Sequence, residues 1–295
     1  MMTAELLAAA PNSPGSLIPV VWAGTNWNTG DNPDGTTTVV TDVNGWEDSP
    51  AFNGNDVALA LGDGVVLGNK IIAQREVTVS GMVAGPRPPV LALIRQLAAL
   101  ASARQPVALT IGQIDETGGA VRSLTAQVRA DTSQFQTAWL SRYAFTWQVV
   151  LTAADPLLYD QATNLVTLTV PSTATGWVYP RRYPWHYAGL ATNSAQLANA
   201  GTAPTPVTII FTGPLSNTPE ISDGARSITL KNLGAGEVVT VESDTLAAFA
   251  PGGATRASYV LAGSVPMPLA TGITTWTLYA TGTGNVVLTW ASAWA

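Results

Sequence analysis

Residues 143–160 read YAFTWQVVLTAADPLLYD. The first half alternates strictly, as an extended strand does when successive side chains point to opposite faces. Tyr143, Phe145, Trp147, Val149 and Leu151 share one face. Ala144, Thr146, Gln148, Val150 and Thr152 share the other. One face apolar and one polar describes a strand of an antiparallel sheet with a single buried side. The run stops at Asp155-Pro156. Proline offers no ladder N–H and holds the residue before it extended, so the chain leaves the sheet there. Asp155 and Asp160 then admit two readings, a working carboxylate pair or the exit from one domain into the next.

Outward from this strand, the preceding 110 or so residues carry the same signature. Thr36 opens TTTVVTDVNGW, a β-branched strand closed by a glycine turn. Residues 65–84 contain a second strand in which Val77, Val79 and then Met82 or Val83 face inward, with Gly81 suggesting a bulge. GPRPPVLALIRQLAALASARQP predicts the chain's one helix, over 88–104. Prolines suit its first turn, and Val90, Leu91, Ile94, Leu97, Ala98 and Ala101 recur at helical spacing. Arg95 and Arg104 should be exposed, and Pro106 closes the segment. Val107–Gly112 and residues 120–131 read as strands around a hairpin loop at 112–119. Residues 1–35 read as irregular.

Beyond Asp160 the texture changes. LVTLTV and TGWVYPRRYPW read as connections. From NAGTAPTPVTIIFTG onward, short strands recur between glycine-rich turns: RSITLKN, EVVTVES, TLAAF, ASYVLA, TTWTLYA and NVVLTWA. Such spacing predicts a β-sandwich or jelly roll. The expected organisation is mainly β: an N-terminal α+β domain over 1–160, antiparallel with one helix, and a β-sandwich over 161–295.

Composition narrows function. Charged residues are 11% of the chain, against about 25% in ordinary domains. The net charge is −6 with two lysines, Lys70 and Lys231, so the basic footprint of a nucleic-acid binder is missing; Arg181-Arg182 is a lone pair. No apolar run approaches the roughly 20 residues of a membrane-spanning helix, so no membrane insertion is expected. The start, MMTAELLAAAPNSPGS, lacks a basic leader, and no export signal is expected. A neutral chain with ten tryptophans has the composition of a surface covered by other subunits, although a polar-coated β-domain would look similar.

Catalytic constellations are sparse. His186 is the single histidine and lies in no triad pattern; histidine- and cysteine-based metal sites are excluded by count. Asp31, Asn32 and Asp34 in DNPDG could offer oxygens to calcium but read first as an Asx-rich turn. The carboxylate pairs Glu47/Asp48, Asp115/Glu116, Asp155/Asp160 and Glu242/Asp244 share no evident cleft. GDGVVLGNK fails the phosphate-loop pattern because Asn69 separates Gly68 from Lys70. No cofactor is expected, and no enzymatic activity. Trp177, Trp185, Trp276 and Trp290 could line a sugar-binding face, which keeps a host-glycan adhesin acting through the sandwich as the alternative.

Four stretches in order carry a resemblance: VVTDVNGWEDSP, REVTVSGMVAGP with the helix after it, FTWQVVLTAADPLLYD, and PWHYAG leading to NAGTAPTPVTIIFTGP. Together they resemble the distal tail proteins, or minor tail proteins, of long-tailed bacteriophages, from about Thr36 to the C-terminus. The matching positions are Gly45, Trp46, Arg75, Gly81, Asp155, Pro156, Tyr159, Asn199, Gly201 and Pro204. The resemblance implies an N-terminal ring-forming domain, usually in six copies, and a C-terminal galectin-like β-sandwich. It implies a structural virion protein at the distal end of the tail. Its partners would be other copies of itself, the tail tube protein, the tail-tip hub and receptor-binding proteins. The proline- and glycine-rich first 35 residues depart from that pattern.

Overall fold

The structure is a computed structural model that describes residues 18–49, 51–54, 57–58, 65–66, 68, 71–114, 121–139, 143–170 and 193–295. The chain divides into two compact units, Met1–Gln161 and Ala162–Trp294. Among the described residues the fold is mainly β with one α-helix, as expected.

The first unit contains β1 (Val20–Trp22), β2 (Thr25–Asn26), β3 (Gly30–Asp31), β4 (Thr37–Asn44), β5 (Phe52–Asn53), β6 (Val57–Ala58), β7 (Val65–Val66), β8 (Ile71–Ile72), β9 (Arg75–Gly85), α1 (Arg87–Ala101), β10 (Val107–Ile114), β11 (Val121–Trp139), β12 (Tyr143–Ala153) and β13 (Leu158–Asp160). Its main sheet runs β2-β1-β10-β11-β12-β9-β4-β3, with β13 alongside β11. Two short ribbons, β5 with β8 and β6 with β7, lie off that sheet between β4 and β9.

The alternation of 143–153 sets the core. Phe145, Trp147, Val149, Leu151 and Ala153 are buried, while Thr146 and Gln148 are exposed. On the paired strand β9, Val77, Val79 and Val83 are buried with them. Each such side chain contributes roughly 1.5–3 kcal/mol when fully buried. Trp22 and Trp27, from the stretch expected to be irregular, close over this face: Trp27 meets Trp147 edge-on at 5.9 Å between ring centroids. Val20, Trp22 and Leu109 join Val79, Val149 and Leu151 in one apolar pocket. Short strands hidden among prolines and glycines thus supply core that periodicity does not reveal.

Helix α1 begins one residue earlier than expected, with proline in its first turn and no side-chain cap. Val90 and Leu97 are buried, Arg95 and Arg104 exposed, but Ala98 is exposed as well. The helix ends at Ala101, well before Pro106, where Ser102 N–H donates to Ala98 O and its hydroxyl to Ala99 O. Gly81 is not a bulge: β9 pairs with β12 in unbroken register through Gly81↔Trp147. The register shift lies on β4, between Val40 and Asp42. Strand β11 runs to Trp139, past a shift at Asp131, beyond the expected end at 131.

The second unit contains β14 (Asn164–Thr169), β15 (Ser194–Asn199), β16 (Thr208–Thr212), β17 (Leu215–Ser222), β18 (Ser227–Thr229), β19 (Val238–Glu242), β20 (Ala248–Phe249), β21 (Gly272–Gly282), β22 (Asn285–Trp290) and β23 (Ala293–Trp294). Two antiparallel sheets, β14-β22-β16-β19-β20 and β15-β21-β17-β18, face each other. Leu168, Ile209, Phe211, Val241 and Leu288 from one pack with Leu197, Ile221, Ile228, Trp276 and Leu278 from the other in a single core. LVTLTV is therefore a strand, not a connection. ASYVLA is not a strand: Ala257–Tyr259 form a 3₁₀ turn, and only Val260 bridges Leu230.

Candidate functional site

Arg75 opens β9 in the same parity as Val77 and Val79, and so points inward. It is 2% exposed. Its Nε donates to Pro156 O at 2.8 Å. Its Nη1 donates to the carbonyls of Gly45 at 3.1 Å, Trp46 at 2.8 Å and Asp48 at 2.7 Å. Burial lowers the guanidinium's affinity for its proton, and the negative charge of Asp48 offsets part of this. The planar fork of arginine suits a cage of several acceptors in a way the point charge of lysine does not.

The neighbouring motif residues make this cage possible. Gly45 turns with φ +81° and passes so close to β9 that a Cβ there would lie 2.1 Å from Glu76 O. Only glycine allows that approach. Trp46 is buried beside it. On the other side, the Asp155 carboxylate accepts Leu157 N–H at 3.0 Å and the Tyr159 hydroxyl at 2.6 Å, fixing the turn that aims Pro156 O at Arg75. So Gly45, Trp46, Arg75, Asp155, Pro156 and Tyr159 form one assembly, tying the end of β4 to the start of β9 and the end of β12. Asp155 is a turn-former in it. Gly81 stands apart: a Cβ there would sit 2.5 Å from the Trp147 ring, so its role is to admit that indole.

Asn199, Gly201 and Pro204 form a second assembly in the second unit. Asn199 is 1% exposed. Its Nδ2 donates to Ala203 O at 2.8 Å and Leu269 O at 3.4 Å; its Oδ1 accepts Gly201 N–H at 3.0 Å and Ala293 N–H at 3.4 Å. A Cβ on Gly201 would fall 1.8 Å from Ala293 O. Pro204 is exposed between Ala203 and Thr205, whose N–H groups bond Ala293 O and Leu269 O, so its missing donor costs nothing.

The other candidates fall out differently. Asp34 accepts the Thr36 N–H and hydroxyl, which hold its carboxyl below the usual aspartate range; Asp31 accepts the Thr37 hydroxyl. Among the described residues no three acidic or histidine side chains gather as a metal site, and no helix is long and apolar enough to cross a membrane. Trp276 is fully buried in the sandwich core, and Trp290 is buried with its Nε1 on Ala198 O at 2.9 Å, so neither presents a ring to a sugar. Trp177, Arg181, Arg182, Trp185, His186, Asp115, Glu116 and Lys70 lie outside the described residues.

What sequence reasoning did not find is a pair of strand stretches in the first sheet that lack a neighbour on one side. From Thr132 to Trp139, β11 has β12 on one side and, among the described residues, no strand on the other, since β10 pairs only Val121–Val128. At the far end, β3 covers only Thr37 and Thr38 of β4. The Asn28 side chain takes the Val40 N–H, and no described strand lies outside Thr41–Asn44. Uncharged TSQFQTAW was the available signal: long edges are normally guarded by charge or proline.

This fold is shared with the SPP1 Dit (gp 19.1) protein, whose crystal structure was presented as a paradigm of the hub adsorption apparatus in phages infecting Gram-positive hosts. The TM-score is 0.63 over 94% of this chain and 99% of that one, at 16% identity. Two structures of the phage P2 baseplate in its activated conformation, with Ca and with Sr, superpose at TM-scores of 0.49 and 0.48. Both are 9% identical and cover 92% of this chain and 97% of theirs. No protein-family model and no curated protein sequence matches the chain. The likeness foreseen from the four sequence stretches is thus present at the level of fold.

Proposed function

We propose that this chain is a structural subunit of a phage tail tip. Copies of it close a ring at the distal end of the tail tube and join the tube to the hub and the receptor-binding proteins. The carrying observation is in the first unit's sheet, where, among the described residues, two unlike strand stretches, Thr132–Trp139 of β11 and Thr41–Asn44 of β4, have no strand on one side. Two different patches on one molecule suit head-to-tail contacts, which close into rings. The low charge of the chain fits surfaces that other subunits cover. The shared fold with a protein described as hub adsorption apparatus supports the same role. No catalysis is part of this role. The test is negative-stain microscopy of the purified chain together with a virion map: rings, and density at the junction of tube and hub, are expected. A chain located elsewhere in the virion would end the proposal.

A further inference from the structure

Asparagine followed by glycine occurs twice in the chain, at Asn44-Gly45 and at Asn53-Gly54. In this dipeptide asparagine is chemically labile. Glycine has no Cβ to keep its main-chain nitrogen away from the asparagine side chain, and its backbone turns freely into the conformation that brings the two together. The structure sets the two copies in opposite surroundings. Asn44 closes β4 and pairs with Thr78 of β9. Its Nδ2 donates to Asp42 Oδ2 at 2.6 Å, which ties the amide back along the strand, away from Gly45. Gly45 is held at φ +81° against Glu76 O, and its own carbonyl accepts from Arg75. Asn53 ends β5, a two-residue strand whose partner is β8. A two-stranded ribbon of this kind is marginally stable in water. Asn53 and Gly54 are both exposed, and Gly54 lies past the last paired residue. Among the described residues no group holds the Asn53 side chain.

We infer that Asn53 is a site of spontaneous deamidation in the folded protein, and that the cage around Arg75 protects Asn44 from the same reaction. The Gly54 nitrogen gives its proton to solvent base and bonds to Asn53 Cγ. The side-chain nitrogen leaves as ammonia, and a five-membered succinimide remains. Water then opens the ring at either carbonyl. One opening gives aspartate. The other gives isoaspartate, in which the main chain runs through the former side chain. One ammonia leaves, one water enters, and nothing is oxidised or reduced. Either product places a carboxylate opposite Ile71, next in sequence to the exposed Phe52. Isoaspartate also displaces the carbonyl that continues the chain, at the last rung of the β5–β8 pairing. For Asn44 the same attack needs Gly45 to rotate, which its contact with Glu76 O prevents until the cage opens.

Peptide mapping tests both halves. The purified full chain is incubated folded at mildly alkaline pH, with a parallel sample in urea, and then cut after Glu47 in mild acid, where succinimide formation is slow. That cut places the two asparagines on different fragments. Mass spectrometry reads amide converted to carboxylate at each, and a methyltransferase specific for isoaspartate identifies the rearranged product. In urea both sites should convert at similar rates. In the folded chain Asn53 should keep its urea rate within about threefold, while Asn44 falls behind by about tenfold or more, because its attack waits on local opening. Gly54→Ala should slow conversion at Asn53 by about tenfold or more and leave Asn44 as it was. Arg75→Lys should speed conversion at Asn44 alone; no change there would take the protection away from the cage. An Asn53 that stays intact in the folded chain while converting in urea would overturn the site. Equal loss at both asparagines in the folded chain would overturn the protection, and so would a lag of Asn44 in urea as large as in the fold.

Discussion

The two units solve one problem in two ways. Each buries a polar side chain at the end of a strand and surrounds it with main-chain groups from distant segments. Each brings one of those segments close by placing a glycine where a Cβ would strike a carbonyl oxygen: Gly45 at 2.1 Å from Glu76 O, Gly201 at 1.8 Å from Ala293 O. In the first unit the buried group is a cation, Arg75, with only carbonyls in its cage. In the second it is a neutral amide, Asn199, whose two N–H groups and carbonyl oxygen all have partners. A buried charge costs far more to desolvate than an amide, so the first cage depends more heavily on every contact it makes.

That difference can be measured. Arg75→Ala should be the most damaging single change outside the apolar core, costing roughly 3–5 kcal/mol, because it strands buried carbonyls and opens a cavity. Urea unfolding followed by tryptophan fluorescence gives the value; a loss below about 1 kcal/mol would mean water replaces the guanidinium without penalty. Arg75→Lys keeps the charge but not the fork, and should recover less than half of the loss. Asn199→Ala should cost about 2–3 kcal/mol, since it too frees four main-chain groups, two carbonyls and two N–H groups, but removes a smaller side chain and leaves a smaller cavity. Hydrogen exchange would localise both effects: Arg75→Ala should speed exchange in β9 and β12, Asn199→Ala around 199–205. Equal costs for the two would remove the distinction between charged and neutral cages.

Parity could have marked both cages, which the sequence reading reached only through the family resemblance. Arg75 shares a face with Val77 and Val79, and Asn199 shares one with Leu197, so each is a polar residue in the inward register at a strand end. Such a residue must find partners, and the sequence alone announces the need without naming them. The alternation of 143–153 was legible for the same reason. Strand β17 was not: Pro219, a register shift between Ser216 and Glu220, and positive φ at Asn217 and Thr218 break its period. The VVW of β1 was too short to carry a period, and its burial comes from a sheet that pairs it with β10, some ninety residues away. The unpaired stretches of β11 and β4 were harder to read, because an edge is a property of pairing and pairing is non-local; the uncharged TSQFQTAW was a local sign of one of them.

Gly81→Ala tests whether a glycine away from either cage matters as much as the two beside them. A Cβ at position 81 meets the Trp147 ring at 2.5 Å and Val39 O at 2.8 Å. A ring can tilt where a backbone carbonyl cannot, so about 1–3 kcal/mol is expected, below the cost at Gly45 or Gly201. The readout that separates relief from strain is the Trp147 environment: a shifted near-ultraviolet dichroism signal with stability retained would show that the indole moved aside. An unchanged signal and stability together would mean that position 81 has room the structure does not show.

Glu242 is the counter-example that completes the comparison, a partly buried carboxyl with no cage. It accepts only the Thr208 hydroxyl, at 3.0 and 3.2 Å to its two oxygens. Burial raises its pKa above the ordinary value of 4.5, the Thr208 bond works against that, and Asp244 adds to it. A carboxyl whose pKa is higher folded than unfolded binds protons more tightly in the folded state. It therefore favours folding fully below its unfolded pKa, and that contribution is lost as pH rises through the folded value. Glu242→Gln keeps an acceptor for Thr208 and removes the charge. It should raise the melting temperature slightly at neutral pH and leave it unchanged in acid, where the glutamate is already protonated. The same small gain at both pH values would assign the effect to packing, and a loss at neutral pH would show that the carboxylate has partners strong enough to make it a third cage.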